Sequence, residues 1–210
     1  MSVIVHHLAD SRSQRVLWLL EELGVAYEVH RYERNPLTRL APPELLAIHA
    51  LGKSPMITLD GQVIAETGVI FETLLDKYDG DNRLHPPRDH ADFAAHRYWL
   101  HYAEGSAQPP LVMKLILSMI PNAEGPAPAF VNAQIALHLK YQNDVVAEKG
   151  GFLGGELSAA DIMMSFPVEA ANMRSNLEEH APALVAWLAK VRARPGYVAA
   201  LEKGGAYSFA

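Results

Sequence analysis

Gly52-Lys53-Ser54-Pro55-Met56-Ile57, then Asp60-Gly61, then Ala65-Glu66-Thr67-Gly68 is the stretch whose reading decides the fold. A residue before proline is pushed toward extended backbone, so Ser54 presents its own N–H and C=O to an extended ligand as a strand would. The apolar runs 56–59 and 62–65 flank Asp-Gly, the composition of a two-residue hairpin. Residues 66–78 then return to helical spacing through Ile70, Leu74 and Leu75. Thr67 thereby falls at a helix N-terminus, where unpaired N–H groups attract a carboxylate. A strand edge and a helix start, two different binding chemistries, lie a dozen positions apart.

Upstream, residues 2–7 form a short strand and 11–23 a helix, with Val16, Leu17, Leu19, Leu20 and Leu23 as its apolar stripe and Gly24 as its stop. Ser11 and Gln14 have the Ser-x-x-Gln spacing of a capping box. Residues 25–32 alternate as a second strand, and Pro42-Pro43-Glu44 opens a helical turn through Ile48. The order is β-α-β-α-β-β-α, and the hairpin makes the sheet mixed.

From 80 to 90 the composition turns polar and rich in breakers, which predicts a linker after a first domain at 1–79. Residues 91–210 then read as an all-α domain, with helices at 91–105, 110–120, 128–148, 158–175 and 181–194 and a short turn near 198–202. Leu157-Ser158-Ala159-Ala160-Asp161-Ile162 carries a Ser-x-x-Asp capping box before an apolar, central helix.

The totals exclude several classes. The chain has 210 residues, a formal charge of −6 and no cysteine. Disulfides, zinc-thiolate sites and a protein thiol nucleophile are therefore ruled out, and any sulfur chemistry has to come from a ligand. Without a Lys/Arg run, phosphate backbones have no clustered cations to meet, so no nucleic-acid partner is expected. No long apolar stretch suggests a membrane span or leader, which makes a cytoplasmic protein the default. His6 and His7 are only a pair, and no metal site is expected there.

A βαβαββα domain, a polar linker and an all-helical domain, with these motifs in these places, resembles the glutathione transferase family over essentially the whole chain. The run Ser11-Arg12-Ser13-Gln14-Arg15-Val16-Leu17-Trp18 looks like the first helix of bacterial and fungal serine-type members. Lys53-Ser54-Pro55 looks like the segment whose cis-proline presents backbone to glutathione, and Glu66-Thr67 like the pair that holds its γ-glutamyl end. Leu153 through Asp161 is similar to the family's capping box. The resemblance implies a thioredoxin-like first domain, glutathione as co-substrate, a homodimer, and conjugation of small hydrophobic electrophiles or reduction of organic peroxides.

It also implies site roles. Ser11 is the candidate thiolate donor, with Ser13 and Arg12 as alternatives. Leu40 stands where several classes place a basic or aromatic contact, so the glycine carboxylate falls to Lys53 or Arg39. Tyr98, His101, Tyr102 and Met113 are candidates for a hydrophobic substrate pocket, although an aromatic stripe at helical spacing also suits a core or dimer seam. Glu104 is a candidate to cross a dimer interface toward the partner's γ-glutamyl amine. A glutathione thiol near the ordinary cysteine pKa of about 8.5 is a poor nucleophile; lowering it by about two units needs roughly 2.7 kcal/mol, within reach of a charge-assisted hydrogen bond plus a helix terminus. A non-catalytic ligand carrier or interaction module of the same fold is the alternative function.

Overall fold

The computed structural model describes residues 2–210. The chain forms two compact units: the first holds the residues through Arg83 together with Arg192–Ser208, the second Leu84–Val191.

In the first unit, β1 (Val3–Leu8), α1 (Ser13–Leu23), β2 (Glu28–Tyr32), a 3₁₀ turn (Pro43–Ala47), β3 (Met56–Leu59), β4 (Gln62–Ala65) and α2 (Thr67–Tyr78) follow the expected order. The four strands lie in the order β2-β1-β3-β4. β1 runs parallel to β2, while β3 runs antiparallel to both β1 and β4. This is the mixed sheet of a thioredoxin-like domain. Alternation along β1 sends Val3, Val5 and His7 to one face and His6 and Leu8 to the other. Leu8 there joins Leu45 and Met56 in a small buried cluster beneath the 3₁₀ turn.

The last helix, α9 (Pro195–Gly204), belongs to this unit. The sequence assigns 91–210 to one helical domain and shows only a short turn near 198–202, whereas Arg192–Ser208 packs against α1. Tyr197 meets Trp18 edge-on at 5.3 Å, and Arg194 grips Glu22 with two bonds of 2.8 and 2.9 Å. Gly204 permits close approach, since a Cβ there would sit 3.0 Å from Leu17 and 2.6 Å from Gln14.

The second unit is helical: α3 (Phe93–Tyr102), α4 (Gln108–Ser118), α5 (Pro126–Lys149), α6 (Ala159–Arg174), the single turn α7 (Leu177–His180) and most of α8 (Pro182–Arg192). Where the sequence shows a gap between two helices, a π-helical segment, Ala103–Ala107, makes them continuous. Pro109 and Pro110 have no N–H to return to the preceding turn, and widening the turn ahead of them accommodates that loss.

α6 is buried along its first thirteen residues, and Asp161 is its hub. One carboxylate oxygen accepts the Phe152 N–H at 3.0 Å and the Trp187 indole at 3.2 Å. The other accepts the Ser158 N–H at 2.9 Å and its hydroxyl at 2.5 Å. The capping box read from the sequence is present in full. Around it Trp99, Phe152 and Trp187 pack at ring separations of 4.8 and 5.1 Å.

Candidate active site

Strand directions bring three distant segments to one end of the sheet. β1 ends at Leu8 and feeds Ser11; antiparallel β3 begins at Met56, paired with His6; β4 ends at Ala65, paired with Met56. Ser11, Pro55 and Glu66 therefore leave the sheet side by side, although they span more than fifty positions of sequence. The Ser54–Pro55 bond is cis.

Ser11 precedes α1, whose N-cap is Arg12 and carries no side-chain cap. The expected Ser-x-x-Gln box does not form, because the N-cap falls at Arg12, one residue later than the spacing suggests. The Ser11 hydroxyl oxygen instead accepts the Ser13 N–H at 3.2 Å, and the Ser11 carbonyl accepts the Gln14 N–H at 3.2 Å. The Gln14 amide is left buried, with neither side-chain atom partnered. Ser11 thus lies against the positive end of an eleven-residue helix, a place that favours an anion.

The two serine hydroxyls are 2.8 Å apart, and that of Ser13 is also 2.8 Å from His7 Nδ1. Ser13 is fully buried, whereas Ser11 keeps 5 % exposure and approaches the Ser54 hydroxyl at 3.4 Å. Ser54 spends its own proton on the His6 carbonyl at 3.1 Å. Of the two serines, Ser11 is the one that keeps any exposure and the one whose hydroxyl neighbours Ser54.

Opposite, Glu66 is the N-cap of α2 with φ 69° and ψ 122°, a backbone conformation sparsely used by residues with a Cβ. Its side chain is exposed, while Thr67 behind it is 3 % exposed. The N–H groups of the first turn lack intrahelical acceptors and are available to a carboxylate.

The chain matches the family descriptions "Glutathione S-transferase, N-terminal domain" over residues 11–77 and "Glutathione S-transferase, C-terminal domain" over 113–204. Glutathione S-transferase 1 of Saccharomyces cerevisiae is 35 % identical, covering 96 % of this chain and 95 % of the yeast protein. The chain belongs to the glutathione S-transferase family. A crystal structure of a glutathione S-transferase from Actinobacillus pleuropneumoniae superposes with a TM-score of 0.90 at 31 % identity, covering 99 % of this chain and 95 % of that one. A Phanerochaete chrysosporium glutathione transferase solved with oxidised glutathione shares the fold at 20 % identity, with a TM-score of 0.80 over 97 % and 94 % of the two chains.

Within this transferase the other sequence candidates are dispersed. Arg12 is half-buried, and Lys53 is exposed beside Ser54. Arg39 pairs with Asp10 at 2.8 Å, and Arg34 clamps the Ala9, Asp10 and Arg39 carbonyls at 2.8, 3.0 and 2.9 Å. Burial acts to raise the Asp10 pKa, but the Ser208 hydrogen bonds and Arg39 outweigh it and hold the carboxylate low. The loop leading into Ser11 is therefore stiffened by two arginines, one of them the residue suggested for the glycine carboxylate.

In the helical unit, Tyr98, His101 and Met113 are exposed and Glu104 is half-buried. Tyr102 is a core residue, with its hydroxyl 2.6 Å from His138 Nδ1 and its ring 5.1 Å from Trp99. Burial, with a smaller contribution from Tyr141 and against a hydrogen bond to Gln142, pushes the Tyr102 hydroxyl up to about 12. A small crevice in this unit is lined by residues that include Ala107, Leu111, His138, Gln142 and Pro167; none of Tyr98, His101, Tyr102 or Met113 lines it.

One residue of consequence escaped the sequence reading. His7 is 2 % exposed, and burial, with a further push from Arg31, takes its pKa down to about 4 against the opposing pull of Asp10 and the Gly204 backbone. The signal was the alternation Val3, Val5, His7, which sets an imidazole where the inward face calls for a third aliphatic.

Proposed function

We propose that the end of the sheet in the first unit binds glutathione and that Ser11 donates its hydroxyl to the sulfur, holding the thiol as thiolate for nucleophilic attack. The observation that carries this reading is the convergence of Ser11, the Ser54–Pro55 segment and the Glu66–Thr67 helix start through strand register alone. In it, the Ser54 backbone pairs with the extended peptide, Glu66 receives the γ-glutamyl ammonium, and Thr67 with the α2 N-terminus receives the γ-glutamyl carboxylate. Lys53 is the cation nearest in sequence for the glycine carboxylate, since Arg39 is already engaged by Asp10. Ser11 is favoured over Ser13 as the sulfur contact because Ser13 is buried and spoken for by His7.

The second substrate is a small hydrophobic electrophile or an organic peroxide, with Tyr98, His101 and Met113 as its exposed apolar and aromatic contacts. Tyr102 supports them from the core, 5.4 Å from the Tyr98 ring. The working form is a cytoplasmic homodimer in which Glu104 reaches toward the partner's glutathione.

The test is steady-state turnover with glutathione and two probes, a chloronitrobenzene and an organic hydroperoxide. Turnover of either that falls at least about a hundredfold in kcat/KM for Ser11→Ala is the expected result, the scale of losing one transition-state donor. Tight glutathione binding with turnover of neither would replace the enzyme by a carrier of the same fold.

A further inference from the structure

The hydrogen bonds behind Ser11 have a direction, and it can be read from counting protons. The carbonyl of Gly204 lies in the last turn of α9, where no intrahelical donor remains. Arg31 satisfies the neighbouring Glu202 and Lys203 carbonyls, at 3.2 Å from Nη2 and 2.9 Å from Nε. The Gly204 backbone is bound by His7. Because Nδ1 faces Ser13, the nitrogen serving Gly204 is Nε2, which lies 3.3 Å from where a Cβ on that glycine would sit. A carbonyl only accepts, so Nε2 carries the proton.

A neutral imidazole with Nε2–H has a bare Nδ1, and in a buried setting that acceptor needs a donor. The groups that face His7 from the packed elements are Arg31 on β2, Asp10 in the loop after β1, Gln14 on α1 and Gly204 on α9. The donor to Nδ1 is Ser13, at 2.8 Å. Its other acceptor, the Leu8 carbonyl, is 3.4 Å away, so the single hydroxyl proton goes to the imidazole. Ser13 then meets Ser11 as an acceptor only. At 2.8 Å the Ser11 proton lies between the two serine oxygens, and the chain runs Ser11 to Ser13 to His7 to Gly204, with every proton pointing inward.

We propose that His7 is a positioning residue for the thiolate donor: by capturing the Ser13 proton it makes Ser13 a rival acceptor for the Ser11 hydroxyl, so that a thiolate stabilised by Ser11 must first draw that proton away from Ser13. This rests on Ser11 as the sulfur-facing hydroxyl. Its consequence runs opposite to a simple supporting role, because removing the rival strengthens the donor.

Two measurements test it. Nitrogen-15 NMR of the ligand-free protein is expected to show the His7 ring neutral, protonated at Nε2 and bare at Nδ1; a proton on Nδ1 would reverse the chain and overturn the proposal. Thiolate absorbance of bound glutathione, titrated against pH, is then compared in wild type, Ser11→Ala and Ser13→Ala. Ser13→Ala is expected to lower the bound thiol pKa by about half to one unit, the worth of one hydroxyl–hydroxyl bond, while Ser11→Ala raises it. A rise in Ser11→Ala with no fall in Ser13→Ala refutes the rivalry and leaves the reading of Ser11 intact. No change in Ser11→Ala removes the reading itself. Should Ser13→Ala fail to fold, the imidazole spectrum decides.

Discussion

Mild acid should destabilise this protein through His7. In the folded chain burial takes the imidazole from 6.5 down to about 4. In the unfolded chain it titrates near its ordinary value. Between those two values the unfolded state binds a proton that the folded state refuses, so stability is full above about pH 6.5, falls as the pH drops toward 4, and is flat in this respect below that. The whole shift corresponds to about 3 kcal/mol, and the part lost between about pH 7 and about pH 5 to about 2 kcal/mol, a large share of a typical 5–15 kcal/mol. Urea unfolding at those two pH values, in wild type and His7→Phe, isolates the effect. His6 and His138, also lowered by burial, titrate in both proteins and cancel. His7→Phe starts lower, having lost the partner of Ser13 and of Gly204, but the expected result is that it loses about 2 kcal/mol less on acidification. Parallel losses in the two proteins would show that His7 is not held neutral and would refute the reasoning.

Three further outcomes are expected. Asp161→Asn places an amide where a carboxylate oxygen accepts two donors, leaving at least one buried N–H unpaired; thermal unfolding should show a loss of about 2 to 4 kcal/mol, and a change below about 0.5 kcal/mol would contradict the hub assignment. Gly204→Ala drives a Cβ against Gln14 and Leu17 at 2.6 and 3.0 Å; overpacking there should cost about 1 to 3 kcal/mol in urea unfolding, and an unchanged midpoint would mean α9 sits more loosely on α1 than described. Glu66→Gln removes the charge proposed to meet the γ-glutamyl ammonium; calorimetry should show glutathione binding weakened about tenfold, and equal affinity would relocate that contact.

The parts of this structure that were legible in the sequence are those set by local chemistry. Asp60-Gly61 dictated the hairpin and with it the mixed sheet, and Ser158 with Asp161 announced a capping box. Pro55, Glu66 and Ser11 stood out because proline, an exposed acid before a helix, and a hydroxyl at a strand-to-helix turn each carry their own signal. What did not show depends on partners far away in the chain. The return of α9 to α1 rests on Arg194 meeting Glu22, 172 positions earlier, and on glycines whose use appears only when a neighbour is in place. Arg39 looked like a free cation until Asp10 claimed it. Tyr102 fits the aromatic stripe of α3, but which side of that stripe is core is decided by Trp99 and His138. His7 was visible only as a break in alternation, and its meaning came from Ser13 on one side and Gly204 on the other.

The ionisation of glutathione in the site, read as thiolate absorbance against pH for wild type and Ser11→Ala, tests the role of Ser11 most directly. The prediction is a bound thiol pKa about two units below the ordinary 8.5 in wild type, shifted upward in the variant with glutathione still bound. A bound thiol that ionises like free glutathione, or a lowered pKa that Ser11→Ala leaves unmoved, would contradict the assignment of Ser11 as the group that makes the nucleophile.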